Sequence, residues 1–289
     1  MKKINAVQVN DERHLDTLAD NTLLNDTSYP ELRIEKQVLI QAYRDYVAQN
    51  GNPWSIQQPN ISNKLKLGLL SHYSSPPDSI NFLDRITKSS PEVCPMCGGF
   101  KPFTRDHILP KAEHQAWAIF SKNLVPACDC NLKRGSALKG DPAAGARILH
   151  PYFDNILLQR LLSCEITHRN NYSRFSLKII YVDPNHPDIA SIKYHTRNVV
   201  IKSGVEYWLK GQLSKLKERP SNVIHTLPRK KALSEDRVRE AIEDCLERTD
   251  ELTGTPNNWL SIFCHGLLNS AGISSWVTNR HNQTLVKIN

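Results

Sequence analysis

Apolar residues recur at helical spacing through the first part of the chain. Leu32, Val38, Leu39, Tyr43, Tyr46 and Val47 define an inward stripe that Pro30 can open at its first turn and Asn50-Gly51-Asn52-Pro53 stops. A shorter helix is predicted from about Ser62, with Leu65, Leu69 and Leu70 inward, ending before Ser74-Ser75-Pro76-Pro77. Residues 1–90 thus read as a helical region, and Ser89-Ser90-Pro91 marks its boundary. Over residues 91–140 the long apolar stripes give way to Cys, Gly, Pro and His. Such a segment builds little core of its own and needs a metal staple.

The pattern changes again over residues 141–289. Phe175, Leu177 and Ile179 alternate with Ser176 and Lys178, as in a half-buried strand. Val205, Trp208, Leu209, Leu213 and Leu216 give a helical stripe. Ser234 can cap a further helix running through Leu252, with Val238, Ile242, Cys245 and Leu246 on one face. Trp259 to Trp276 reads as one or two packed helices. The predicted fold class is α+β: a zinc-stapled module set between a helical N-terminal region and a mixed C-terminal region.

Composition narrows the picture. At 39% hydrophobic and 23% charged, the 289 residues can bury a core, which argues against wholesale disorder. No apolar run approaches the roughly 18 residues of a membrane span, and the first residues lack the apolar segment of a secretory leader. A cytoplasmic protein with no membrane partner is the expectation. The net charge of +8 permits a polyanionic partner. Within Arg197–Lys231 there are nine Lys/Arg against two Glu, whereas Ser234–Leu252 carries eight acids against three Arg. The basic stretch, with Lys210, Lys215 and Lys217, can follow a phosphate backbone; equally, it can be a solvated face paired with the acidic helix.

Four of the seven cysteines cluster at positions 94, 97, 128 and 130. In a reducing compartment the clustering indicates metal rather than disulfides. Cys94-Pro95-Met96-Cys97-Gly98-Gly99 has the form of a zinc knuckle, and a second pair, Cys128 and Cys130, completes a four-thiolate structural Zn2+ site. The second pair is separated by a single residue, Asp129, so a ligand from elsewhere remains open, with His114 the nearest. The isolated Cys164, Cys245 and Cys264 read as small core residues.

Between and after the pairs lie Asp106-His107, Asn123-Leu124 and Cys130-Asn131 with Lys133 and Arg134. Singly, each has an ordinary structural explanation as a turn, cap or surface residue. Together, the order CxxC, DH, NLxxxC, then CN with a basic residue three positions on resembles the HNH endonucleases, the ββα-metal nucleases stapled by a four-cysteine zinc. The resemblance covers about 50 of the 289 residues.

That resemblance implies a metal-dependent phosphodiester hydrolase acting on nucleic acid, DNA by family. His107 would be the general base, and Asp106 and Asn131 would hold a catalytic Mg2+ or Mn2+ through oxygen. Asn123 would orient His107 or pin the loop, and Lys133 or Arg134 would contact phosphate. The run His150-Pro151-Tyr152-Phe153-Asp154 is similar to one in HNH proteins of bacterial anti-phage systems, some of which work beside an ATPase subunit. His150 either reaches the active site or packs the module against the C-terminal region. The rival expectations are a non-catalytic zinc-containing DNA-binding module and an interaction subunit of a larger complex.

Overall fold

In the computed structural model, which describes residues 1–169 and 172–285, the chain is α+β, with helices dominating both ends. The N-terminal region contributes α1 (Asp11–Ala19), α2 (Glu31–Ala48), α3 (Asn63–Ser74) and α4 (Phe82–Lys88). Asn10 caps α1 and Ser62 caps α3, each accepting from a backbone N–H of the first turn. On α2, Leu32, Leu39, Tyr43 and Tyr46 are buried as the stripe predicts. Val38 and Val47 depart from the expectation: they stand at the flanks of that stripe and are 41% and 43% exposed, while Ile40 and Ala42 are buried instead.

A short antiparallel hairpin follows, β1 (Thr104–His107) paired with β2 (Leu124–Ala127), then the single-turn helix α5 (Cys130–Arg134). The register sets Asp106 opposite Val125 and His107 opposite Leu124. Consecutive strand residues face opposite sides, and here the two sides are two different cores. Val125 and Ala127 join the C-terminal core together with the four cysteines, whereas Leu124 joins the N-terminal helices. The hairpin and α5 are thus held from both flanks.

The C-terminal region opens with a second antiparallel hairpin, β3 (Leu162–Arg169) and β4 (Arg174–Tyr181). Five helices follow: α6 (Ile189–His195), α7 (Val205–Glu218), α8 (Glu235–Thr253), α9 (Trp259–Asn269) and α10 (Ile273–Leu285). A π-helical stretch, Thr196–Ile201, continues α6 and packs on α5. Ser234 occupies the cap position of α8, but its side chain makes no capping bond. Val238, Ile242 and Cys245 are buried as predicted. The acidic residues of α8 pair with Arg160 or with arginines of α8 itself, not with the basic face of α7, among the described residues. No described helix is long and apolar enough to cross a membrane.

Candidate metal centre

The four clustered cysteines converge although they come from two segments thirty residues apart. Cys94 and Cys97 lie in a loop after α4, Cys128 follows β2, and Cys130 opens α5. The first loop closes when Gly98 N–H donates to the Cys94 carbonyl at 2.8 Å, with Gly98 at φ +77°. A side chain at Gly98 would fall 2.2 Å from the Asn257 carbonyl oxygen, so glycine is required for space as well as for conformation. The Gly99 amide points at Cys97 Sγ from 3.4 Å.

All four Sγ atoms lie within 4.8 Å of one another, with Cys94–Cys130 at 3.6 Å and Cys97–Cys128 at 3.5 Å. A tetrahedron with Zn–S bonds of about 2.3 Å has edges of about 3.8 Å, whereas a disulfide would bring two sulfurs to about 2.0 Å. The cluster therefore fits a tetrahedral ion such as Zn2+, and the one-residue spacing at Asp129 does not prevent it, because the start of α5 turns Cys130 back toward Cys94. No ligand from elsewhere is needed. His114, the alternative, contacts Gln58 and the ring of Trp117.

Neighbouring side chains fix the cluster's backbone. Trp259 Nε1 donates to the Cys97 carbonyl at 2.8 Å, and His195 Nε2 lies 2.7 Å from the Met96 carbonyl while its Nδ1 accepts from Leu149 N–H at 3.1 Å. His195 must then be neutral and protonated on Nε2. Burial, which pushes its pKa down to about 4, keeps it so.

The residues of the nuclease-like motif lie beside this cluster. Asp106 and His107 end β1. Both Asp106 oxygens are taken by Arg134 of α5, Oδ2 from Nε at 3.0 Å and Oδ1 from Nη2 at 2.8 Å. Arg134 also donates to the carbonyls of His107, Ala137 and Ile108. A guanidinium has five N–H donors, and these five bonds use them all. Arg134 is 3% exposed and Asp106 7%, so Arg134 is positioned to hold the hairpin to α5 and not to meet a phosphate in solvent. Burial pushes the Asp106 carboxyl above its usual range while Arg134 pulls it back.

His107 is enclosed as well. Its Nε2 lies 2.9 Å from the Ala118 carbonyl, and its ring meets the Tyr73 ring of α3 edge-on at 4.4 Å. Tyr73 in turn carries Lys111 over its face at 4.2 Å. Burial first, then Lys111, Arg134 and Arg105, push the His107 pKa down to about 4. Asn131 is half-buried; its Oδ1 accepts from Leu132 N–H at 2.7 Å, and its Nδ2 reaches the Arg105 carbonyl only at 3.5 Å. Lys133 is exposed and pairs with Asp129 at 2.7 Å.

Asn123 is wholly buried and makes four bonds. It donates to the carbonyls of Leu109 and Trp117, and accepts from Leu109 N–H at 2.8 Å and Tyr46 Oη at 3.2 Å. The loop from β1 to β2 is thereby folded around it. Behind Tyr46 stands His150, 3.1 Å from the same hydroxyl and accepting from Tyr152 N–H on Nδ1. His150 thus supports Asn123 through Tyr46. Asp154 of the same run forms a two-pronged pair with Arg147 at 2.6 and 2.7 Å. Tyr46, Tyr73 and the Asp106–Arg134 pair were not identifiable from sequence, since each is chosen by a partner far along the chain.

The buried His150 gives a pH expectation. Burial pushes its pKa down to about 3, below the ordinary 6.5 that the unfolded chain would show. The unfolded state then binds the extra proton first, so stability is full above about pH 6.5 and falls as pH drops toward 3. Chemical unfolding measured across this range should show a pH slope that His150→Gln lowers by up to about 1.4 kcal/mol per pH unit; an unchanged slope would contradict the buried neutral histidine.

Comparison with family models, with curated proteins and with solved structures finds no match for this chain, so the HNH resemblance rests on the motif residues alone.

Proposed function

We propose that this chain is a zinc-stapled nucleic-acid-binding protein in which the β1–β2–α5 unit serves as a scaffold. The observation that carries this reading is the Asp106–Arg134 pair. Hydrolysis through Asp106 needs a carboxylate oxygen open to a divalent cation, and both oxygens accept from one enclosed guanidinium. The Asn131 side-chain oxygen accepts from the backbone N–H of Leu132. As placed, these residues do not fit a catalytic Mg2+ or Mn2+. His107 points the same way, because a general base works best with a pKa near the operating pH, and burial holds this one near 4. Binding a polyanion requires none of these groups. It requires cations, and the chain carries a net +8 with Lys210 and Lys215 exposed on α7. In this reading residues 1–90 and 141–289 are the flanks that position the zinc unit, residues 91–140, and supply the binding surfaces.

A second reading, an HNH endonuclease, is favoured by one observation. Asp106 and His107 on β1 and Asn131 on α5 all lie in a single hairpin–helix unit, and Nδ1 of His107 has no protein partner among the described residues. In that reading Nδ1 takes the proton from water once Arg134 has released Asp106. Anti-phage defence beside an ATPase subunit belongs to it, with His150–Asp154 as the motive.

A plasmid-cleavage assay with Mg2+ and with Mn2+, with an EDTA control, separates the two. The scaffold reading expects gel-shift binding without cleavage, by the chain alone and with any co-purified ATPase. Cleavage that EDTA stops and that His107→Ala abolishes, with folding and zinc content intact, would install the nuclease reading instead.

A further inference from the structure

An open cleft of about 750 Å³ lies between the zinc knuckle and α7, away from the Asp106–His107 motif. Its walls are aromatic: Phe100, Tyr207, Trp208 and Trp259. Its charged groups are Lys133, Lys210 and Lys215, and among the described residues no carboxylate lines it. We infer that this cleft binds single-stranded nucleic acid, with unpaired bases stacked on Tyr207 and Phe100 and phosphates held by the lysines. The inference rests on the nucleic-acid reading above and names the form of nucleic acid recognised.

Three features lead to this occupant. The first is exposure. Tyr207 is 86% exposed and Phe100 59%, although packing would normally bury such rings. Two large aromatic surfaces left open at the mouth of one cleft offer platforms for flat partners.

The second is how rigidly the aromatic wall is built. Phe100 meets Trp259 edge-on at 5.3 Å, and Trp259 lies 5.8 Å from Trp208. The Trp259 indole donates to the carbonyl of Cys97, so the cysteine cluster fixes the wall in place. Gly211, in the middle of α7, lines the same cleft, and a side chain there would meet nothing within 4 Å. Glycine inside a helix costs roughly 1 kcal/mol relative to alanine; packing does not demand it here, and its presence leaves the floor of the cleft clear.

The third is charge. Lys210 and Lys215 have no ion-pair partner among the described residues, and Lys133 shares only the exposed Asp129. Lys217, by contrast, lies over the Phe175 ring at 4.5 Å and faces a different surface. Cations lining an aromatic wall suit a chain that alternates phosphates and flat bases. A duplex hides its base faces, whereas a single strand offers them.

The test is fluorescence anisotropy with a labelled 15-nucleotide single strand, as DNA and as RNA, and with a duplex of the same sequence. The single strand should bind more tightly than the duplex, and whichever of DNA and RNA binds better identifies the source. Tyr207→Ala, at a site too exposed to affect folding, should weaken single-strand binding roughly 5- to 150-fold, the range typical of one stacked base. Phe100→Ala should act in the same direction. Lys210→Ala with Lys215→Ala should lower the slope of log affinity against log salt by about 1.4. If neither single strand nor duplex binds at low salt, the nucleic-acid reading fails and takes this inference with it. If nucleic acid binds but Tyr207→Ala and Phe100→Ala leave affinity within twofold, or the duplex binds better, the cleft assignment alone is overturned. Poly-glutamate binding as tightly as the strand, with the same loss in Tyr207→Ala, would replace the occupant with an acidic peptide.

Discussion

Asp106→Ala should destabilise the folded protein by about 3–5 kcal/mol, the usual cost of leaving one member of a buried ion pair without its partner. Arg134 would remain 3% exposed with two of its five donors unanswered. The loss should persist in high salt, since enclosed pairs are poorly screened. Arg134→Leu combined with Asp106→Ala should recover only part of it, because removing both charges removes the unpaired one but leaves the carbonyls of His107, Ile108 and Ala137 without their donor. Denaturant unfolding of the two single variants and the double variant measures these terms. An Asp106→Ala protein as stable as the parent would mean that the fork contributes nothing to folding. Asp106 would then be free to serve as an oxygen ligand, and the scaffold reading would lose its main support.

The reach of the sequence can be judged from particular elements. Helices α2, α3 and α8 were legible because a 3.6-residue stripe and nearby caps or breakers point the same way. Strand β4 was legible from its alternation, but its partner β3 was not. Its alternation is present, with Leu162, Cys164 and Ile166 buried and Glu165 and Thr167 on the other face, but the small side chains of Ser163 and Cys164 make it weak. The four-cysteine cluster was legible because thiolates in two pairs carry their own chemistry. What the residues around it do was not, since that depends on long-range partners. Arg134 is read as a phosphate contact from its place beside Lys133, yet Asp106, twenty-eight residues earlier, satisfies it. The aromatic cleft joins residues 100, 133, 207 and 259, and no local pattern ties them together.

Loss of the metal should have the larger effect on the centre of the molecule. Residues 91–140 hold two four-residue strands and a five-residue helix. A two-stranded hairpin is marginal in water, and a helix of that length is unstable alone. The hairpin gains its order from two cores at once, with Leu124 on one side and Val125 and Ala127 on the other. The cysteine cluster ties the start of α5 to the knuckle, and α5 in turn carries Arg134. Structural zinc typically contributes an apparent 10–16 kcal/mol in small sites, comparable with the 5–15 kcal/mol of an entire domain. We therefore expect one zinc per chain by elemental analysis, and loss of cooperative unfolding in Cys94→Ser or after exhaustive chelation. Cys130→Ser should lose zinc in the same way, while His114→Ala should keep it, because His114 contacts Gln58 and stands outside the cluster. Purified protein with no tightly held zinc, and a Cys94→Ser variant that melts within a few degrees of the parent, would show that the four sulfurs pack as core thiols.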